Sequence, residues 1–298
     1  MRFAGEIAAL CTAVCWSMGS NLFAAAGRRL GSVVLNRLRI TAAMLMLGCA
    51  LLVTRGSPWP IWATGFQVAI LAVSGLVGFV FGDSYHFRAL VILGPGRSAL
   101  VHSLAPLFTV MIVWGAMGVR PGPLAALGMA LTLGGVFWVL RERQAREHAH
   151  VEGSVAVGIA AGVLGALGQA VGYVLSKVAL DTGLDALSAT VIRIAAACVG
   201  IWLIAGLRSD VARTLAAMRD RRATLFMLGG AAAGPFLGVT LSLVALRHID
   251  AGVAASITAI YPIPTLLLSA RFNRESLSWR TFAGAVVAVA GVVVLFLR

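Results

Sequence analysis

Residues 82–107 read GDSYHFRALVILGPGRSALVHSLAPL, and the chain repeats the pattern at 238–263 as GVTLSLVALRHIDAGVAASITAIYPI. Moved along by 156 positions, Gly82, Ala89, Leu90, Gly96, Ala99 and Pro106 fall on Gly238, Ala245, Leu246, Gly252, Ala255 and Pro262 without a gap. The same offset carries Gly78 onto Gly234, Thr109 onto Thr265, Gly128 onto Gly284 and Gly135 onto Gly291. An offset held over that distance is an internal duplication, and in a membrane protein it points to a transporter-like repeat.

The composition is that of a membrane protein. Hydrophobic residues make up 60% of the chain and charged residues 12%. Runs free of Asp, Glu, Lys and Arg cover 7–27, 40–54, 56–82, 98–119, 121–140, 153–176, 194–207, 223–246, 251–270 and 281–297. Most reach the roughly 20 residues that a helix needs to cross about 30 Å of hydrocarbon. The runs do not alternate with period two and are too long for barrel strands. The expected fold is therefore all-α and polytopic, with ten transmembrane helices.

The spans are expected at 5–26, 33–53, 61–82, 97–117 and up to Leu140, then at 154–177, 187–206, 223–246, 251–270 and 280–297. A polar connector, 141–152, separates a first five-helix repeat (1–140) from a second (153–298). Five is odd, so the second repeat enters from the opposite side, which makes the repeats inverted. The polar stretch Arg208–Arg222 reads as a short surface helix. An apolar run ending near Ala24-Ala25-Ala26 imitates a signal peptide. A comparable span opens the second half, however, so it reads as a retained helix. The net charge of +13 comes from arginines at span ends, where lipid headgroups rather than nucleic acid explain it. Their bias by side weakly favours both termini outside. Cys11, Cys15, Cys49 and Cys198 lie within spans, and neither they nor His148 and His150 in the connector have metal-ligand spacing.

Pro106 and Pro262 are equivalent interior prolines, expected to kink their helices as hinges beside a central cavity. One turn before each stand His102 and Thr258, and Tyr261 precedes the second proline. An intramembrane histidine is costly unless it faces the bundle interior or water. His102 is thus either a site residue or a neutral imidazole bonded to a neighbour. Asp83 closes a charge-free run. It is either solvated at the interface, paired with Arg88 or Arg97, or a carboxylate that binds a proton or cation. Arg39 and Arg193 match at an offset of 154, about seven residues inside their spans. They are expected to snorkel to headgroups; the alternative is a pair of cations lining the pathway for an anionic or carboxylate substrate. Trp16 and Asn21 on the first helix, with Gln169 and Tyr173 at i, i+4 on the sixth, suit an organic solute with apolar and polar parts.

Two five-helix halves, each with an Ala-Leu…Ala…Pro core and a glycine-rich last helix (Leu127-Gly128…Gly134-Gly135-Val136; Ala283-Gly284…Gly291-Val292), resemble EamA-type members of the drug/metabolite transporter superfamily. The resemblance covers essentially the whole chain. It implies a ten-helix carrier, often an exporter of amino acids or other metabolites, with helices 1, 3, 4, 6, 8 and 9 bordering a central cavity. It also implies an acidic residue between the fourth and fifth helices of a half. Glu275 supplies it in the second half, whereas Val119 stands in its place in the first.

The expected function is secondary transport of a small organic metabolite, amino-acid-like or drug-like, by alternating access in the efflux direction. Protons are the candidate coupling ion, and no cofactor or metal is expected. The setting is a lipid bilayer of the bacterial inner-membrane type, with the protein a monomer or weak homodimer. A channel is the alternative. An intramembrane aspartyl enzyme is disfavoured, because it needs two facing carboxylates and no second acid lies deep in a span.

Overall fold

The computed structural model describes residues 3–118, 122–141, 154–248, 257–272 and 277–296, and among them all regular structure is helical. The connector beyond Arg141, Val119 and Glu275 lie outside the described residues. The first half contains α1 (Ala4–Leu30), α2 (Ser32–Arg55), α3 (Gly65–Gly75), α4 (Asp83–His102), α5 (Ala105–Met117) and α6 (Pro123–Arg141). The second contains α7 (Val155–Leu180), α8 (Ala186–Leu207), a short α9 (Val211–Ala217), α10 (Arg221–Ala231), α11 (Val239–His248), α12 (Pro262–Phe272) and α13 (Trp279–Phe296). Among the described residues, six helical stretches are long and apolar enough to cross a membrane: Ala4–Leu30, Ser32–Arg55, Gly65–His102, Val155–Leu180, Ala186–Leu207 and Arg221–Ser242. Shorter apolar helices accompany them, and α9 is the short helix expected in the polar stretch.

Polar residues fix where helices begin. Thr64 caps α3 in a capping box, its hydroxyl accepting from the Gln67 N–H and its own N–H donating to Gln67 Oε1. Ser154, Asp185 and Asp220 cap α7, α8 and α10 by accepting from N–H groups three residues on.

Two departures from regular α-helix define the architecture. Between α3 and α4 the helix continues through a π-helical stretch, Leu76–Gly82, and between α10 and α11 through another, Ala232–Gly238. They correspond residue for residue at the 156 offset. The expected end of the third span at Gly82 is thereby corrected, since helix runs on and the backbone turns only at Gly94 (φ 80, ψ 167). That conformation is open to glycine and strained for other residues, and Pro95 follows it, favouring a fresh start.

The second departure lies at the prolines. Instead of kinking a helix interior, each proline opens a new helix after a short break, Ser103–Leu104 before Pro106 and Ala259–Tyr261 before Pro262. The first helical turn is where a missing N–H costs least.

The packing scheme reads the same from either half. α1 lies along α10, its π stretch and α11, while α7 lies along α3, its π stretch and α4. Two pairs of repeat mates meet each other, α2 with α8 and α6 with α13, and α4 also meets α12. Lipid is as apolar as a leucine side chain, so close approach over small residues holds such helices together. A Cβ on Gly135 would lie 2.3 Å from the Ala288 nitrogen, and one on Gly291 2.4 Å from the Thr132 nitrogen. At the α7 seam a Cβ on Gly168 would stand 2.7 Å from the Gly82 Cα.

Candidate functional site

The third span, now carried to Leu93, places Asp83 eleven residues, roughly 16 Å of helix, before the turn at Gly94. Its carboxylate is inside the bundle and 4% exposed. A buried charge is costly unless paired, and the partner is neither Arg88 nor Arg97. Arg39 on α2 donates from Nη2 to Asp83 Oδ2, and Gln169 on α7 donates from Nε2 to Asp83 Oδ1 at 2.9 Å. Arg39 also donates to Asn36 Oδ1 at 3.3 Å. Asn36 Nδ2 donates in turn to the Ser84 hydroxyl and to the Phe79 carbonyl inside the π stretch, each at 3.2 Å. π turns recur at functional sites because they re-aim groups that a regular helix keeps to itself. The rings of Phe87 and Phe23 lie 4.9 and 5.9 Å from the Arg39 guanidinium carbon.

Arg193, the repeat mate of Arg39, reaches the same span from α8. Neither arginine reaches the surface as a snorkelling side chain would, since both are buried inside the bundle, at 4% and 7% exposure. Arg193 lies over Phe79 at 4.5 Å and beside Tyr173 at 5.8 Å, near enough to Asp83 to interact electrostatically. It makes no hydrogen bond to the carboxylate, and its Nε and Nη2 are buried without a partner. Depth within the span, used alone, misplaced both residues. Lys177, by contrast, ends in the open, paired with Asp181 one turn on.

His102 stacks on His86, their ring centroids 4.3 Å apart at a 49° tilt, and both Nδ1 atoms are buried without a partner. Asn21 and Tyr261 form a separate polar seam. Asn21 Nδ2 donates to the Thr265 carbonyl at 3.3 Å, and Ser17 donates to the Tyr261 carbonyl at 2.9 Å. The Tyr261 hydroxyl donates across to the Ala99 carbonyl at 3.2 Å, tying the start of α12 to α4. Thr258 sits just before the break, its carbonyl accepting the Tyr261 N–H at 3.0 Å. Trp16 packs its indole on Gly234 and Gly238, within 3.1–3.5 Å of where their Cβ atoms would be. The expected site residues thus divide. Asp83, Gln169 and Tyr173 gather around the arginines, His102 joins His86, and Asn21 and Tyr261 belong to the α1–α12 seam.

A model of the EamA-like transporter family matches residues 3–141 and again 156–297. The chain belongs to the EamA-like transporter family. Membership and the apolar helices together make it an integral membrane transporter. No curated protein matches significantly. A solved structure, described only as the crystal structure of a protein, aligns with 99% of this chain and 96% of its own at 19% identity and a TM-score of 0.59, which speaks to the fold alone.

In this EamA-family chain the ionic cluster gains Arg39, Arg193 and Asn36, and the histidine pair gains His86. Asn36 and His86 were not site candidates from sequence, and the two arginines stood only as the alternative to snorkelling. Two signals pointed to the arginines and to the depth of Asp83: the Arg39/Arg193 match, and Gly94-Pro95-Gly96, whose composition marks a turn eleven residues after Asp83.

Proposed function

We propose that this transporter is a secondary carrier that moves a small organic metabolite outward by alternating access. Its ten spans form two inverted five-helix repeats, about 1–140 and 153–298, joined by the 141–152 connector, in a plasma membrane of the bacterial type. The observation that carries this reading is the charged cluster Arg39–Asp83–Gln169, with Arg193 beside it, buried where α2 and the third span meet α7 and α8 of the other half. A packing interface has no need of intramembrane ions, which are expensive and mark substrate or ion pathways. Inversion is supported by the packing scheme that both halves share and by the odd number of spans in each. Rocking of one half on the other is supported by the glycine seams, which let helices slide.

The test is counterflow in proteoliposomes against a panel of metabolites, with and without a pH gradient. A carrier gives saturable uptake accelerated by the same solute on the far side, and Asp83→Asn with His102→Ala lowers it or removes its pH dependence. Linear flux without acceleration would indicate a channel and end the carrier reading. Unchanged transport in the double variant would remove these residues from the site.

A further inference from the structure

The buried cluster does not balance. Two guanidinium groups, Arg39 and Arg193, converge on one carboxylate, and Asp83 is the only buried acid among the described residues. The duplication shows how this arose, because the arginine is present in both repeats while the second copy has Val239 where the first has Asp83. Both Asp83 oxygens are engaged, one by Arg39 and the other by Gln169. Arg193 is left with Nε and Nη2 buried and unpartnered, at 7% exposure. The Gln169 amide is oriented by its bond to the carboxylate, which accepts only, so its Oε1 points elsewhere, also buried and without a donor. These orphan groups are neighbours: a Cβ on Gly78 would lie 3.1 Å from Arg193 Nη2 and 3.5 Å from Gln169 Oε1. The Tyr173 ring lies 5.8 Å from the Arg193 guanidinium carbon, and the residue is itself 54% exposed.

An uncompensated cation in a bundle interior is strongly destabilising unless something arrives to neutralise it. A planar guanidinium flanked by rings is also the group best suited to a planar anion on an apolar body. Resting on the carrier reading above, we propose that Arg193 is the anchor for an anionic group on the transported solute. The solute's carboxylate or phosphate then supplies the negative charge that the second repeat lacks, with its apolar part against Phe79 and Tyr173.

The test uses the full-length purified protein and four probes that share a phenyl ring: phenylacetate, phenyl phosphate, phenylacetamide and phenethylamine. The expected result is a saturable rise in Tm with an anion and none with the amide or the amine. Whichever anion saturates at lower concentration identifies the group as carboxylate or phosphate. Arg193→Met should weaken that response at least tenfold, and Arg193→Lys should retain part of it. Because Arg193→Met removes an unpaired buried charge, its ligand-free Tm should equal or exceed that of the parent. A large fall would instead make Arg193 structural. Absence of response to either anion, an equal response to amide or amine, or parental anion binding by Arg193→Met overturns the proposal. Counterflow separates this from the carrier reading. Anion binding without counterflow sinks the carrier and leaves the site, whereas counterflow of neutral or cationic solutes that Arg193→Met does not alter sinks the site and leaves the carrier.

Discussion

Replacing Asp83 with Asn keeps the side chain's shape and removes its charge, which isolates what the carboxylate does for Arg39. Both side chains of the pair are 5% exposed, so water does not take over as the lost partner. Breaking a buried pair by removing one member costs about 3–5 kcal/mol, chiefly because the other charge remains. The faces of Phe87 and Phe23 return about 0.5–1 kcal/mol each as cation–π partners. The net loss is then about 1–4 kcal/mol, a fall in Tm of roughly 2–6 °C at this chain length. The assay is thermal unfolding of the detergent-purified protein followed by size-exclusion fluorescence, for Asp83→Asn, Arg39→Gln and the double variant. If the cost is that of a stranded cation, the double variant is less destabilised than the two single losses added together, by about 1–3 kcal/mol. A Tm for Asp83→Asn within a degree of the parent, or strictly additive losses, would refute the argument.

Gly75→Ala should be among the most damaging single methyl additions, since its Cβ would lie 2.1 Å from the Arg193 carbonyl oxygen, whereas Gly134→Ala has nothing within 4 Å and should leave Tm unchanged or slightly raised. Arg37, 1% exposed, holds α9 through Thr214 at 2.8 Å and Asp210 at 3.4 Å. Arg37→Ala should therefore speed hydrogen exchange over 208–218 well before it affects α13. Asp185 is a pH-sensitive cap. Partial burial alone would raise its pKa, but the bonds from the Ser188 hydroxyl and N–H and the charge of Arg55 hold it below its ordinary 3.8. A depressed carboxylate contributes stability that is complete above the ordinary value and lost as pH falls through the lowered one. Asp185→Ala should thus cost about 1 kcal/mol at neutral pH, with the gap to the parent closing only under strong acid, as read by Tm against pH.

The repeat and the helical class were legible because glycines and prolines are tied to backbone geometry and keep their register once a segment is doubled. The break before each proline was half legible: Pro106 and Pro262 announced a disturbance, but whether a helix bends or restarts depends on neighbours such as Ser17 and Tyr261, which meet only in three dimensions. The ionic cluster was the least legible part. Charge-free runs mark where charges stand, not where helices stop, so the run ending at Gly82 looked like a helix end and put Asp83 at the surface. A single chain carries no sign that Arg39, 44 residues earlier, returns to meet it. The π stretches left no periodic trace either, since each offsets the hydrophobic pattern by only one residue.

Those two wide turns carry a record of descent. A π turn is in effect one extra residue accommodated inside a finished helix, and its position depends on everything packed around it. Finding it at the same place in both copies, with Pro235 in one and Phe79 in the other, implies that the widened turn predates the gene doubling. The unit that was copied then already bore the irregular helix before its two descendants diverged. Beyond that inherited turn the copies part company, one continuing with Asp83 and the other with Val239, and there two like halves become unlike.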